Sequence, residues 1–249
     1  MTQVARDTYL IFMRYLRPTL RNKAALVFGA LQPLLYLLLF GPLLKDVFGA
    51  GGSWQVFVPG ILVQLVLFGA GFVGFGLIAD LRSGVVERLR VTPVSRVALL
   101  LGRVLRDTVV LAAQALLLVA AGVALGLRAP VGGIVVGMLF VVALAVSIAS
   151  LSYVLAMATR TEDAFAPLLS TVTLPLMLLG GILLPMSMAP GWLDAVSRFT
   201  PFRYVVDATR EAFQGHYASA AVGQGAAVAV VLLAVSVALG ARRFRRENA

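Results

Sequence analysis

The sequence predicts an all-α integral membrane protein with six transmembrane helices. Of its 249 residues, 60% are hydrophobic and only 13% are charged. A soluble domain carries about 25% charged residues, so lipid must cover much of this surface. The arginines stand at the ends of apolar runs. The net charge of +10 therefore indicates contact with anionic lipid headgroups, not with nucleic acid.

Six apolar runs are long enough to cross a bilayer. A spanning helix needs about 20 mostly apolar residues, because the hydrocarbon core is about 30 Å thick. The runs cover residues 24–44, 56–79, 108–127, 132–158, 167–185 and 221–241. They predict one transmembrane domain over residues 1–249.

The positive charges predict the orientation of these spans. Arginine and lysine concentrate before the first run, between the second and third runs, and in the C-terminal tail. Because cytoplasmic segments carry the excess of such residues, both termini are expected in the cytoplasm, with the chain in the cell (cytoplasmic or inner) membrane.

Residues 1–23 are expected to form a helix lying in the membrane interface. At 100° per residue, one face of this segment is apolar and the other is polar. The apolar face holds Tyr9, Phe12, Met13 and Leu16, and the polar face holds Asp7, Arg14 and Arg17. Pro18 is expected to end or kink this helix. It serves either to anchor the topology or to dock a partner.

The basic segment 80–107 joins the second and third spans on the cytoplasmic side. Residues 84–91 favour a short helix, which Thr92 and Pro93 close. Val85, Val86 and Leu89 can share one face of that helix. The exposed charges are Glu87, Arg88 and Arg90. Such a helix suits the docking of a cytoplasmic partner; the alternative is a solvated loop.

Residues 186–220 form a semi-apolar segment on the opposite side of the membrane. Short helices are expected over 195–199 and 204–213. Neither is long enough to cross, so both are predicted to dip into the outer leaflet and return as re-entrant helices.

The sequence gives no sign of catalytic chemistry. It has no cysteine, and with only Lys23 and Lys45 it contains no phosphate-binding G-x-x-x-x-G-K-[ST] loop. We therefore expect no enzyme activity, no metal and no cofactor in this chain. A membrane enzyme such as a lipid-group transferase would need paired acids or histidines near one membrane face. The nearest candidates are Glu162 with Asp163 and Asp207 with Glu211, and neither pair has the further groups that such chemistry requires.

Polar groups inside the spans are uncharged. Ion-coupled carriers usually keep an ionisable residue there, whereas this chain has Gln32, Gln64 and Gln114. These glutamines either line a translocation path or hydrogen-bond between helices. The energy is thus expected to enter from outside the bilayer. A self-contained secondary carrier or channel remains the alternative.

Glycines recur within the second span. Gly69, Gly71 and Gly74 match G-x-G-x-x-G, but no strand precedes them, so they predict close helix packing and not a dinucleotide site.

Two motifs in this topology resemble those of the permease subunits of ABC type-2 exporters, in particular the daunorubicin-resistance-like drug and lipid exporters. The loop 87–96 reads E-R-L-R-V-T-P-V-S-R. The outer segment carries Pro190, Trp192, Leu193, Pro201 and Arg210 in the family's order. The resemblance covers nearly the whole chain.

The resemblance implies a division of labour between chains. The loop after span two would be a coupling helix that docks on an ATP-binding subunit, present in two copies that hold ATP and magnesium. A second copy of this permease, or a related one, would complete the dimer. The substrate would be a drug, lipid or lipid-linked molecule, with multidrug export and antibiotic resistance as the expected context.

The same resemblance assigns roles to individual residues. Those expected at the coupling helix are Val86, Glu87, Arg88, Leu89, Arg90, Thr92 and Pro93. Those expected at a re-entrant outer gate are Pro190, Trp192, Leu193, Pro201 and Arg210.

Overall fold

A computed structural model describes residues 3–43, 45–90 and 94–246, and that part of the chain is helical without any strand. The helices are α1 (Gln3–Arg21), α2 (Lys23–Leu43), α3 (Lys45–Gly71), α4 (Gly74–Arg82), α5 (Val85–Arg90), α6 (Arg96–Ala124), α7 (Val131–Thr159), α8 (Glu162–Leu179), α9 (Gly191–Ser197), α10 (Pro201–Phe213) and α11 (Ala220–Arg246). A single 3-10 turn, Met186–Met188, precedes α9.

Five helical stretches among the described residues are long and apolar enough to cross a membrane. They are Trp54–Arg82, Arg96–Ala124, Val131–Thr159, Glu162–Leu179 and Ala220–Phe244. The all-helical membrane fold is therefore confirmed. The first predicted span, 24–44, corresponds to α2, whose apolar part Val27–Leu43 is shorter than the other five.

Helix α3 occupies the centre of the bundle. It packs against α2, α6, α7, α8 and α10. Among the 18 consecutive residues that are most apolar in Trp54–Arg82, 67% are buried, whereas the corresponding share is 17% in α8 and in α11. Its inward side chains include Phe57, Ile61 and Leu62, all fully enclosed. The core is thus built around span two.

Two glycines set the close packing at one end of the bundle. A Cβ atom on Gly60 would lie 1.9 Å from the carbonyl oxygen of Ile182. One on Gly133 would lie 2.1 Å from the carbonyl oxygen of Ala212. Because real Cβ contacts never come this close, only glycine lets α3 and α7 approach the outer segment here.

Helix α1 differs from its prediction in two ways. Pro18 does not end it: the helix continues to Arg21, and the Pro18 carbonyl still accepts a hydrogen bond from the Asn22 amide at 3.2 Å. Asp7, expected on the solvent face, is buried together with Ile11. The reason is that α1 packs along α6, so the face of α1 that is buried is the one in contact with α6.

The helices of spans three and five extend over different residues from the predicted spans. The loop was expected to reach residue 107, but α6 begins at Arg96, because Ala98, Leu99 and Leu100 are buried there. Span five was placed at 167–185. Helix α8 instead runs from Glu162 to Leu179, where Gly180 and Gly181 turn the chain.

The short helices of the outer segment exist and are longer than predicted. The segment 195–199 lies partly in α9 (Gly191–Ser197), and 204–213 lies in α10 (Pro201–Phe213). Prolines explain the earlier starts: Pro190 precedes α9, and Pro201 occupies the first turn of α10, where its missing N–H costs nothing.

Candidate coupling and outer-gate sites

The short helix predicted in the basic segment is confirmed as α5. Gly84, at φ 69°, makes the left-handed turn between α4 and α5. Val86 is buried against the core, and Arg88 is exposed. The side chains of Glu87, Leu89 and Arg90 lie outside the described part of the structure, as do Thr92 and Pro93 entirely.

A polar cluster holds the chain just before α5. Asp80, near the end of α4, forms an ion pair with Arg103 of α6, with 2.7 Å between Oδ2 and Nη2. The Tyr15 hydroxyl of α1 donates to the same carboxylate oxygen at 2.9 Å. The guanidinium of Arg103 also lies 4.4 Å from the centre of the Tyr15 ring. Burial of Tyr15 is the main cause that raises its pKa, so the hydroxyl stays protonated as a donor.

A second contact to α1 holds the chain just after α5. The backbone N–H of Ser95 donates to Oδ2 of Asp7 at 3.0 Å. Farther along α6, Arg106 donates to the Thr19 hydroxyl from Nη2 at 2.6 Å. Helix α1 therefore fixes both ends of the segment that carries α5.

A cavity of about 300 Å³ lies beside this polar cluster. Its walls are Tyr15, Val73, Gly76, Ala79, Asp80, Arg103, Arg106 and Tyr153, drawn from α1, α4, α6, α7 and the turn before α4. Asp107 lies behind it, hydrogen-bonded to the Tyr153 hydroxyl and to Arg106. The charges of this region are thus paired within the protein.

The sequence contains a signal for this cluster, although the prediction places its residues in the loop 80–107. Arg103, Arg106 and Asp107 are spaced three and four residues apart, within an apolar run that starts at Val97. That spacing places charges on one helical face, which is typical of a helix whose charged face meets a polar partner.

The outer segment is held together by an alternating chain of charges. Asp194 of α9 pairs with Arg203 of α10 at 2.6 Å and with Arg198 at 2.7 Å. Hydrogen bonds from Arg198 and then Arg203 are the largest causes that lower the pKa of Asp194. Arg203 also lies 3.7 Å from Asp207. These contacts fix α9 against α10.

Arg210 connects three separate elements. Its side chain is buried, and its Nε donates to the carbonyl oxygen of Val56 in α3 at 3.0 Å. Its Nη2 donates to the carbonyl oxygens of Gly181 at 2.7 Å and Ile182 at 3.2 Å, in the turn after α8. Its Nη1 faces Asp207 at 3.5 Å. One guanidinium thus joins α3, α10 and the end of α8.

The predicted gate residues do not form one cluster. Trp192 points outward, with an exposed fraction of 70%, as does Phe199, which the prediction does not include, with 90%. Leu193 is half-buried, and Arg210 lies in the interior. Exposed aromatic rings of this kind suit a membrane interface or a partner surface.

The three glutamines of the predicted path are in different environments. Gln32 is exposed on α2, beside a surface groove that also contains Phe28 and Tyr36. Gln64 is buried in α3, and its side-chain oxygen has no hydrogen-bond partner in the described structure. Gln114 is buried where α6 meets Gly29. Of the three, Gln32 faces the surface of the subunit.

The described residues hold no group of three or more histidine, aspartate or glutamate side chains placed to bind a metal ion. The five long apolar helices define a helical membrane protein. The chain belongs to the ABC-2 type transporter family, whose model matches residues 6–213. It is a non-catalytic permease subunit of that family.

Individual relatives agree with this family. The chain is 30% identical over 227 residues to "Daunorubicin resistance ABC transporter permease protein DrrB1" of Streptomyces coeruleorubidus, covering 88% of this chain and 79% of the relative. It is 26% identical over 247 residues to "Probable doxorubicin resistance ABC transporter permease protein DrrC" of Mycobacterium tuberculosis, covering 97% and 88%. A protein of Cyanophora paradoxa named as a transport permease, ycf38, is 28% identical over 212 residues, covering 82% and 73%.

Proposed function

We propose that this permease moves a hydrophobic or amphiphilic molecule, such as a drug, a lipid or a lipid-linked molecule, out of the cytoplasm or the inner leaflet. ATP hydrolysis on a separate ATP-binding subunit drives the transport. The observation that carries the proposal is α5 itself, a short basic helix whose two flanks are tied to α1 and α6 through Asp80 and Ser95.

The ties explain how α5 transmits force. A helix of six residues is not stable alone. Here Val86 anchors it to the core, while Arg88 points outward, free to meet a partner. The sequence resemblance adds Glu87, Leu89, Arg90, Thr92 and Pro93 to the proposed coupling segment. A push on α5 then moves α4 and α6 together, because their flanking residues are joined.

The membrane topology that fits this role has six spans with both termini cytoplasmic. Helix α2 supplies the sixth: its 21 residues extend about 32 Å at about 1.5 Å per residue, which matches the hydrocarbon core. This arrangement puts α5 and α1 on the cytoplasmic side and α9 and α10 on the outer side, in the cell membrane.

A second permease, identical or related, completes the transporter. Helix α2 exposes a wide apolar face that includes Phe28 and Leu39, and α8 exposes Leu178. The amide of Gln32 on the α2 face would be costly against acyl chains. It therefore favours a position facing the second permease or the substrate path. Gln64 and Gln114 lie deeper and would line the path only after the helices rearrange.

The outer segment acts as the gate on the far side. Pro190 and Pro201 fix the starts of α9 and α10, and Arg210 ties α10 to α3. Trp192 and Leu193 present an apolar edge at which a departing amphiphile would leave.

The test is purification of the tagged chain in mild detergent, followed by identification of co-purifying proteins and an ATPase assay. An ATP-binding subunit in stoichiometric amount is expected. Arg88→Glu should remove it, because the exposed charge on α5 is reversed. Arg82→Glu, on α4, is the matched control and should retain the subunit. A lone oligomer without ATPase activity would instead indicate a self-contained carrier or channel.

A further inference from the structure

Span two contains a break in its helix just before the coupling segment. The stretch Trp54–Arg82 is continuous in hydropathy, but α3 ends at Gly71 and α4 begins at Gly74. Phe72 and Val73 form the turn between them. A break inside an apolar span frees backbone groups that need hydrogen-bond partners, because lipid offers none.

One side chain from a neighbouring helix satisfies those groups. The hydroxyl of Ser152, on α7, donates to the carbonyl oxygen of Gly71 at 2.5 Å. The same hydroxyl oxygen accepts a hydrogen bond from the backbone N–H of Gly74 at 3.0 Å. Ser152 therefore bonds to both sides of the break and closes it from outside the helix.

The other buried serines of α7 behave differently. Ser147 donates to the carbonyl oxygen of Ala143, and Ser150 donates to that of Val146, each at 2.7 Å within its own helix. That is the ordinary arrangement for serine inside a helix. Ser152 is equally buried but bonds across to span two.

Helix α4 is a short unit fixed at both ends. At its start, a Cβ atom on Gly74 would lie 2.5 Å from the Phe165 ring and 2.9 Å from the carbonyl oxygen of Ser152, so α4 packs directly on α7 and α8. At its other end, Asp80 is paired with Arg103. Since only Ser83 and Gly84 separate α4 from α5, a movement of α5 that passes along the chain reaches α4 and then α3 through the break.

We propose that the break at Phe72–Val73 is the joint through which the motion of α5 reaches α3, and that Ser152 is the positioning residue that holds it. Bending concentrates at this point because the chain leaves the helix at Phe72 and Val73, whereas α3 remains helical through Pro59 and α4 is helical from Gly74 to Arg82. The role in coupling rests on the proposed function. The closing of the break by Ser152 does not.

The first experiment measures hydrogen exchange by mass spectrometry on the full-length chain in detergent. Ser152→Ala should speed exchange of the peptide covering residues 72–76 by about tenfold, because one hydrogen bond on the Gly74 amide is lost. Ser150→Ala is the matched control and should leave that peptide unchanged. Ser152→Thr keeps the hydroxyl and should restore slow exchange.

The second experiment uses the permease assembled with its ATP-binding subunit in lipid vesicles, with doxorubicin as the probe. The Ser152→Ala complex should hydrolyse ATP near the wild-type rate but move several-fold less doxorubicin per ATP. Ser150→Ala and Ser152→Thr should both transport like the wild type. A purely structural role would lower hydrolysis and transport together.

The outcomes separate the two proposals. If Ser152→Ala and Ser150→Ala give the same exchange, Ser152 does not close the break and the inference fails. If exchange quickens but transport per ATP is unchanged, the break is not the joint. If the wild-type chain assembles with no ATPase, or if its complex moves no doxorubicin, the role of the break in coupling drug export fails together with the proposed function. The exchange data still decide whether Ser152 closes the break.

Discussion

Arg210 offers the sharpest test of how the outer segment is held. Arg210→Met keeps an unbranched apolar stem but removes the guanidinium. The carbonyl oxygens of Val56, Gly181 and Ile182 then lose their donors, and Asp207 loses its buried partner. The carbonyl oxygens of Gly181 and Ile182 are buried, and each costs about 1–3 kcal/mol when it is left without a donor, or on the order of 4 kcal/mol together. With about 2–4 °C per kcal/mol for a chain of this size, the melting temperature should fall by roughly 10 °C.

The measurement is thermal unfolding in detergent, followed by the fluorescence of Trp54 and Trp192, the two tryptophans of the chain. Arg198→Met is the matched control: it lies in the same segment and is also paired with an aspartate, but it is largely exposed. Exposed pairs contribute little, so its melting temperature should change by only about 1 °C.

Arg210→Lys separates charge from geometry. A lysine keeps the positive charge beside Asp207, but one ammonium cannot reproduce the planar fork that reaches both α3 and the turn after α8. Its melting temperature should lie between those of the wild type and Arg210→Met. If Arg210→Met melts within about 2 °C of the wild type, as expected for Arg198→Met, the guanidinium does not hold these elements together.

Two further substitutions test the contacts of α1 and of the polar cluster. Gly102→Ala should loosen α1 and speed hydrogen exchange along it, because the new Cβ would lie 2.6 Å from Ile11, whereas Gly76→Ala, with open space around it, should change nothing. Arg103→Met should make the segment between α4 and α5 several-fold more sensitive to limited proteolysis, because Asp80 at the end of α4 loses its 2.7 Å partner. Arg82→Met removes an exposed ion pair and should leave the digestion pattern unchanged.

Hydropathy and turn residues were enough to predict most of the fold. The apolar runs are visible without any tertiary information, and so is α5, because Gly84 precedes it and Thr92 and Pro93 follow it. The prolines that begin α9 and α10 are equally local signals. These features depend on neighbours in the sequence, which a single chain shows directly.

The burial of charges depends on distant neighbours and could not be predicted in the same way. Asp7 was assigned to a solvent face, yet Ser95 of another element supplies its hydrogen bond. Arg103 was assigned to a loop, yet Asp80 and Tyr15 let it enter a helix. A charge in a sequence looks exposed until its partner is known.

The helix break in span two illustrates the same limit. Gly69, Gly71 and Gly74 were interpreted as packing positions, and each indeed leaves no room for a Cβ without a close contact to a side chain. The interruption between Gly71 and Gly74 depends on Ser152, which lies 78 residues from Gly74. Glycine spacing predicts proximity, but not which neighbour completes the hydrogen bonds.

The position of Arg210 has a consequence for the biogenesis of this protein. The groups that it joins are spread along the chain, at residues 56, 181, 182 and 210. The ends of the second and fifth spans therefore stay untied until synthesis has passed α10. By then most of the bundle has already been synthesised, so this end of the nascent bundle remains open through most of translation. Truncated products that stop before α10 should be preferred substrates of membrane quality-control proteases.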